Sequence, residues 1–370
     1  MAGAKRKSAT TAKDAKSAIE QMQKLYGKDA IFVMDKMPIM KVPTFTSSSL
    51  AIDHALGCGG IPRGRIIEVY GLESSGKTTL ALHILASAQK QALDEGKFVA
   101  FIDVEHALDK KYAGKLGIDT NEMLFSQPDY AEQALDMVID LAKTGQCTAV
   151  VLDSVAALVP KAELDGGMED NTYALQARKM SQAMRKMTAI VSKSETSIIF
   201  INQVREKIGV LFGDKKDTPA GKALKFYSSV RMEVKRIKTL KDTKGEVNVA
   251  NSCIVKVAKN KLAPPLREAE IKIVFGKGID MEHDLFVMGA KYGYVKKSGA
   301  IYKLPPKLHP KTIKGANNFL KFLSVNEEVA ARLRSAILKK MKAELKAELE
   351  VGDEEVNEKP KRKKRTKTES

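Results

Sequence analysis

Residues 66–79 read Ile66-Ile67-Glu68-Val69-Tyr70-Gly71-Leu72-Glu73-Ser74-Ser75-Gly76-Lys77-Thr78-Thr79. A short apolar run enters a glycine-bearing turn, and helix-forming residues follow. The turn meets the spacing G-x-x-x-x-G-K-[ST] through Gly71, Gly76, Lys77 and Thr78. Such a turn lets backbone N–H groups close around phosphate oxygens, while Lys77 reaches the terminal phosphates and the Thr78 hydroxyl suits Mg²⁺. A helix over about 77–95 would point its positive N-terminal end at the same anion. Ordinary glycine turns match this pattern by chance, so its weight comes from the strand before it and the helix after it. The stretch predicts a nucleoside triphosphate site on an α/β fold.

Outward from the loop, apolar runs at 66–70, 98–102, 149–152 and 198–201 are short and nearly continuous, as parallel strands covered on both faces should be. Helical stretches, among them 130–143 and 174–193, separate them. The alternation predicts a doubly covered, mostly parallel central sheet over residues 44–280. Segments 229–236, 252–257 and 270–275 read as extra strands on one side. Before the core, residues 1–43 carry a basic tail, a helix over 15–26 ending at Gly27 and a short strand over 30–34. This helix-strand arm is placed to pack on a neighbouring subunit as an oligomerisation arm. After the core, 281–345 predicts a small C-terminal α/β domain. Residues 346–370 predict a disordered charged tail, acidic and then basic.

Hydrophobic residues make up 44% of the chain and charged residues 29%, a globular composition with a real core. No run of eighteen apolar residues suits a membrane span, and no apolar secretory core opens the chain. Cys58, Cys147 and Cys253 lie far apart, which argues against disulfide and zinc frameworks and fits a reducing compartment. His54, His83, His106, His283 and His309 lack metal-ligand spacing and read as structural. A formal net charge of +18 points to a polyanionic partner. Seven lysines and arginines between Lys359 and Lys367 hold part of that excess, and a charge run is more often a solvated tail than a site.

Three further positions carry chemistry. Asp153 closes the run Ala149-Val150-Val151-Leu152, and a carboxylate at a neighbouring strand tip can hold Mg²⁺ through water beside Thr78. Glu105 in Phe101-Ile102-Asp103-Val104-Glu105-His106 stands at the end of the strand after the loop's helix. There it could orient and deprotonate the water that attacks the γ-phosphate, although a solvent-facing glutamate is the plain alternative. Gln203 leaves the fourth strand into a basic, aperiodic segment through which nucleotide state could control another ligand.

Seven blocks stand in one order: GLESSGKTTL (71–80), FIDVEHALD (101–109), VVLDSVAALVPKAEL (150–164), LQARKMSQAMRK (175–186), FINQVREKIGVLFG (200–213), GKALKFYSSVR (221–231) and KVAKNKLAPP (256–265). With this spacing the chain resembles the bacterial RecA recombinase family from about residue 15 to 340, and a cellular or phage source is left open. The resemblance implies a P-loop RecA-type core with ATP and Mg²⁺ as cofactors. It implies filaments on single-stranded DNA, capture of duplex DNA and strand exchange, in the cytoplasm and at the nucleoid. An SOS-type repressor and loading or mediator proteins are further implied partners.

By position, the resemblance gives the phosphate loop to Gly71, Leu72, Glu73, Ser74, Ser75, Gly76, Lys77, Thr78 and Thr79. Asp153 becomes the Mg²⁺-side carboxylate, Glu105 the catalytic base and Gln203 the γ-phosphate sensor. Asp109 and Tyr112 would hold adenine by hydrogen bond and stacking. Lys259 and Lys261 would reach the ATP of the neighbouring protomer. DNA contacts would come from Gly166, Gly167 and Met168 within 165–174, from Arg178 and Arg185, and from Arg205, Lys207, Ile208, Gly209, Val210 and Phe212 within 204–218. Gly221 and Lys256 complete that set, and phosphate contacts of this kind give affinity without reading sequence.

Some residues depart from the family pattern. Leu72 replaces the usual loop proline, Phe275 stands where tyrosine is common, and Ile254 occupies a usual arginine position while Lys256 keeps a nearby charge. The tail ends basic where the family's is acidic. Two rivals remain on the same core: a hexameric helicase, separated by rings rather than filaments in electron micrographs, and a DNA-coating scaffold using ATP only as a switch. Strand exchange with a non-hydrolysable analogue separates the second.

Overall fold

The computed structural model describes residues 3–28, 30–33, 42–167, 174–206, 216–217, 219, 221–242 and 244–357, and the chain divides into two compact units, Met1–Val42 and Pro43–Ser370. In the first unit, α1 (Gly3–Tyr26) starts well before residue 15, because the run from Gly3 is rich in alanine and lysine and has no proline to stop it. It closes at Gly27 (φ +101°), whose N–H donates to the Gln23 carbonyl at 2.9 Å. The strand expected over 30–34 does not form within residues 30–33. The Gln23 side-chain amide instead donates to the Ile31 carbonyl at 2.9 Å, and Met34 lies outside the described residues.

The second unit opens with β1 (Thr44–Phe45), α2 (Leu50–Leu56) and β2 (Ile61–Pro62). The α/β succession follows: β3 (Ile66–Gly71), α3 (Lys77–Asp94), β4 (Phe98–Asp103), α4 (Lys110–Lys115), β5 (Met123–Ser126), α5 (Ala131–Lys143) and β6 (Cys147–Asp153). Short α6 (Lys161–Leu164) leads to α7 (Leu175–Ser194), β7 (Ser197–Gln203), the small ribbon β8 (Arg205–Glu206) and β9 (Lys216–Asp217), and α8 (Ala223–Tyr227). Three longer strands close the core: β10 (Val230–Lys241), β11 (Asn248–Asn260) and β12 (Glu268–Val274), with β13 (Gly278–Ile279) at the edge.

These strands form one nine-stranded sheet in the order β13-β12-β11-β10-β3-β7-β6-β4-β5. From β10 to β5 every pairing is parallel, and β11, β12 and β13 add antiparallel on one side, where the extra strands were expected. Alternation along each strand explains the two layers. Ile67, Val69, Phe101, Val151 and Ile199 pack against Leu80, Ile84 and Leu85 of α3. Their neighbours Ile66, Ile102, Val150, Leu152 and Phe200 face Leu135 and Val138 of α5 and Met184 and Met187 of α7. Each such fully buried side chain contributes about 1.5–3 kcal/mol, so the sheet is held from both sides.

β5 was not anticipated. Leu124 and Phe125 are exposed on this edge strand, so the segment lacks the continuous apolar run of the buried strands.

Beyond the sheet come α9 (Met281–Lys291), a three-stranded sheet of β14 (Lys296–Ser298), β15 (Ile301–Lys303) and β16 (Ile313–Lys314), then α10 (Ala316–Val325) and α11 (Glu327–Asn357). Their buried side chains, including Leu285, Tyr302, Phe319 and Ile337, belong to the same apolar cluster as the α3 face of the core. Buried Asp284 ties α9 to α2, accepting from Ser49 Oγ at 2.7 Å and from the Leu50 and Ala51 N–H groups. The tail was expected to lack structure from 346, whereas α11 carries on to Asn357; the basic run from Lys359 lies outside the described residues.

Candidate nucleotide site and nucleic-acid interface

Parallel strands end together at one edge of the sheet, and the loop leaves β3 there, between β10 and β7. Gly71 runs so close to β10 that an added Cβ would lie 2.3 Å from the Val234 carbonyl oxygen. Gly76, at φ +95°, precedes α3 with no side-chain cap, and a Cβ there would lie 2.3 Å from Ile273 Cδ1. Both positions therefore require glycine, and the uncapped start of α3 leaves its first N–H groups for a ligand. Among the described residues, buried Ser75 Oγ has no hydrogen-bond partner, an orphaned polar atom in the same loop. Lys77 Nζ lies back across the loop and donates to the Leu72 carbonyl at 2.8 Å. Burial lowers the Lys77 pKa, opposed by Asp153, Glu105 and Glu73.

Two carboxylates reach the loop from the ends of β4 and β6. Thr78 Oγ1 donates to Asp153 Oδ2 at 2.7 Å. Burial raises the Asp153 carboxyl to about 6, with Glu105 and Asp103 adding to the rise and Thr78 and Lys77 opposing it. Glu105 lies just past the end of β4, anchored by its N–H to the Asp153 carbonyl at 3.2 Å. Its Oε1 accepts from Ser154 Oγ and from Gln203 Nε2, the latter at 3.3 Å. The Asp153–Ser154 peptide bond is cis. Buried Asp103 shapes the turn that carries Glu105 by accepting from the Ala107 and Leu108 N–H groups and from Gln127 Nε2. Gln203 ends β7, and the next residue, Val204, donates its N–H to the Gly71 carbonyl at 3.1 Å.

Loop, helix and β12 enclose an open cleft of about 310 Å³. Ser74, Gly76, Lys77, Thr78 and Thr79 line its phosphate end; Tyr112, Asn251, Ile273, Phe275 and Gly276 also line it. Tyr112 Oη lies 3.0 Å from Thr79 Oγ1. Asp109 does not line the cleft: it caps α4, its Oδ1 accepting from the Lys111 and Tyr112 N–H groups, and so sets the Tyr112 ring. Ser154, Asp103 and Asn251 are site residues that the sequence reading missed. Ser154 meets Glu105 and Asn251 meets Thr239 from separate segments, so no local spacing marks them, while Asp103 holds the Ala107 and Leu108 N–H groups of its own turn.

The expected trans lysines lie elsewhere. Lys259 stands opposite Arg231, which stands opposite Glu68, three residues before Gly71 on β3. At ~3.3 Å per residue this is about 10 Å along the sheet from the loop. Lys259 Nζ donates to the Lys225 and Phe226 carbonyls at 2.7 and 2.8 Å, and burial lowers its pKa. Lys261 follows on the same side, its N–H donating to the Ser229 carbonyl.

Arg178 and Arg185 project from the exposed face of α7, opposite buried Met180, Met184 and Met187. Gly166 and Gly167 are exposed at the end of a described stretch, and Met168 lies outside it. Arg205 pairs with Asp217 in the β8–β9 ribbon, while Lys207, Ile208, Gly209, Val210 and Phe212 fall outside the described residues. Gly221 (φ +75°) leaves only 3.0 Å between an added Cβ and Ala177 Cβ of α7. Lys256 pairs with Glu268 across β11 and β12 at 3.6 Å, and Ile254 stands opposite Glu270.

Among the described residues, no helix is long and apolar enough to cross a membrane. A family described as the RecA N-terminal domain matches residues 13–280. Protein RecA of Oceanobacillus iheyensis is 50% identical over 320 residues, covering 86% of this chain and 90% of that protein. Protein RecA of Cutibacterium acnes is 49% identical over 322 residues, covering 87% and 90%. Protein RecA of Streptomyces rimosus is 48% identical over 351 residues, covering 94% and 89%.

Proposed function

The chain belongs to the RecA family, and from that premise we propose that its cleft is one half of an ATP site completed by the next protomer of a filament. The chain is a DNA-dependent ATPase of homologous recombination and DNA repair that forms ATP-bound filaments on single-stranded DNA and exchanges strands. The observation that carries the site assignment is convergence: Lys77, Thr78, Asp153, Glu105 and Gln203 come from four neighbouring strand ends onto one loop.

Lys77 would leave the Leu72 carbonyl for the phosphates, and Ser75 with the open N–H groups of α3 would meet their oxygens. Thr78 and Asp153 offer two oxygens side by side, a donor set that fits a hard cation keeping its other places for phosphate and water. Mg²⁺ bound there would neutralise phosphate charge. With Oε1 held by Ser154 and Gln203, Glu105 has Oε2 left to orient a water and take its proton. Gln203 would pass the state of the site through β7 into residues 204–218.

Tyr112 would stack on adenine, with Asp109 positioning that ring or bonding the base. Lys259 and Lys261 lie too far along the sheet to serve their own loop, which supports their service to the neighbour's phosphates. Arg178, Arg185 and the segments 165–174 and 204–218, with Gly221 and Lys256, would meet DNA phosphates. The unit 1–42 would act as the oligomerisation arm, consistent with exposed Leu25, Tyr26 and Val33, and 281–345 as an appended domain. We further propose a cytoplasmic, nucleoid-associated location, with an SOS-type repressor and loading proteins as partners.

The test is ATP hydrolysis with and without single-stranded DNA, followed by strand exchange between circular single strands and linear duplex. DNA-stimulated turnover and joint-molecule formation are expected; turnover indifferent to DNA would contradict the reading.

A further inference from the structure

The far end of α11 reaches back to the turn that opens with Lys261. This turn, residues 261–267, joins β11 to β12. Pro264, Pro265 and Leu266 are exposed, and Leu266 sits at φ +70°, a left-handed conformation that leucine seldom adopts. Such a shape has to be imposed by its surroundings. At the near end the Lys261 N–H donates to the Ser229 carbonyl at 2.9 Å, and Asn260 Nδ2 donates to the Leu56 carbonyl at 2.7 Å. At the far end the Leu266 N–H donates to the Val257 carbonyl at 2.7 Å, and the Val257 N–H donates to the Arg267 carbonyl at 2.9 Å. The middle lies on Gly57, the left-handed cap of α2, where an added Cβ would stand 3.0 Å from Ala263 Cβ and 3.2 Å from Arg267 Nη1. α11 closes the arrangement from the other side. Arg267 Nη2 donates to Glu348 Oε2 at 2.9 Å. One helical turn earlier Glu344 accepts from Tyr292 Oη, and its Oε2 lies 4.0 Å from His54 Nε2. Leu345 Cδ2 comes within 3.8 Å of the point where a Cβ on Gly59 would stand. Positions 341, 344, 345 and 348 recur at helical spacing, so one stripe of α11 faces the core. A cavity of about 70 Å³ bordered by Gly57, Arg267, Met341 and Leu345 stays between them, which leaves much of the helix's register to the polar pairs.

We propose that Arg267 and Glu348 are positioning residues for ATP hydrolysis: the end of α11 braces the 261–267 turn and so sets Lys261 for the ATP of the next protomer. The inference rests on the trans role proposed above for Lys259 and Lys261. Lys259 is tied down separately, its Nζ on the Lys225 and Phe226 carbonyls, so the brace bears chiefly on Lys261, whose side chain is exposed at the start of the turn. A charge that acts across an interface stabilises the reacting phosphates only from the right place, and a small displacement of such a group is expensive. Glu348 lies in the part of α11 that extends past residue 346, so the stretch expected to be a loose tail becomes a support for the neighbour's site. Both members of the pair are partly exposed, which keeps the expected effect modest.

The experiment measures DNA-stimulated ATP hydrolysis by the full-length chain, by Glu348→Arg, by Arg267→Glu and by the double exchange, with ATP affinity taken by calorimetry in the absence of DNA. Each single reversal should lower kcat about two- to fivefold, the worth of a partly exposed ion pair, and leave ATP affinity unchanged. The double exchange, which rebuilds the pair with its charges swapped, should restore kcat. Mixing tells positioning from general damage. Glu348→Arg chains mixed with Glu105→Ala chains should gain turnover per intact base, because their loops then meet undisturbed lysines. Mixed with chains carrying Lys259→Ala and Lys261→Ala, they should gain nothing. Unchanged kcat in both single variants would overturn the proposal, and so would the same response in the two mixtures. Failure of Glu105→Ala chains to complement chains carrying Lys259→Ala and Lys261→Ala would instead defeat the shared-site reading itself.

Discussion

Glu105 has one oxygen held by two donors and the other without a partner among the described residues, and Lys77 has its ammonium parked on a backbone carbonyl. In the proposed site these two side chains would answer for separable steps, so their variants should fail differently. Lys77→Ala removes the buried cation proposed to meet the phosphates and should abolish ATP-dependent filament formation, seen by electron microscopy or light scattering. Glu105→Ala should keep ATP and DNA binding and lose turnover by at least 100-fold, the lower range for a general base; hydrolysis at the unaltered rate would remove it from that role. Lys77, Thr78, Asp153 and Glu105 were legible in the sequence because each is marked by its place at a strand end or in a fixed local spacing. Ser154 and Asp103 were not: Ser154 meets Glu105 from the end of another strand, and Asp103, which takes the N–H groups of its own turn, reads like any polar residue after an apolar run.

Elements explain why some of the fold was legible and some was not. β3, β6 and β7 are buried on both faces and read as continuous apolar runs, whereas the edge strand β5 exposes two of its four side chains and reads as loop. The turn into α2 offers a test at this scale. Asp53 is buried in the helix's first turn and accepts from Thr46 Oγ1 at 2.5 Å and the Ser47 N–H at 2.7 Å. Burial outweighs those bonds and raises its carboxyl from 3.8 to about 6. A folded-state value above the unfolded one means the folded chain holds the proton more tightly. This group's contribution to stability therefore rises as pH falls from about 6 to about 4 and is lost as pH rises through that window. Denaturant titrations of wild type and Asp53→Asn at pH 7 and 4.5 should show the variant's relative stability falling by about 2 kcal/mol on acidification. A difference independent of pH would mean that Asp53 titrates normally.

Across the whole molecule the charge is unevenly spread, and the run from Lys359 to Lys367 reverses the acidic tail usual in the family. Truncation after Glu358 should weaken duplex binding and flatten its dependence on salt, because fewer counterions are released; an unchanged salt slope would leave the tail a solvated appendage. The larger claim is that the ATP site is shared. Lys259 is set about 10 Å along the sheet from its own loop, which supports the proposal that it and Lys261 serve the loop of another protomer. The decisive measurement is DNA-stimulated ATP hydrolysis by a mixture of Glu105→Ala chains with chains carrying Lys259→Ala and Lys261→Ala. Each variant alone should be inactive, while mixing them should recover part of wild-type turnover wherever an intact loop meets intact lysines. A mixture no more active than its separate components would contradict the shared site.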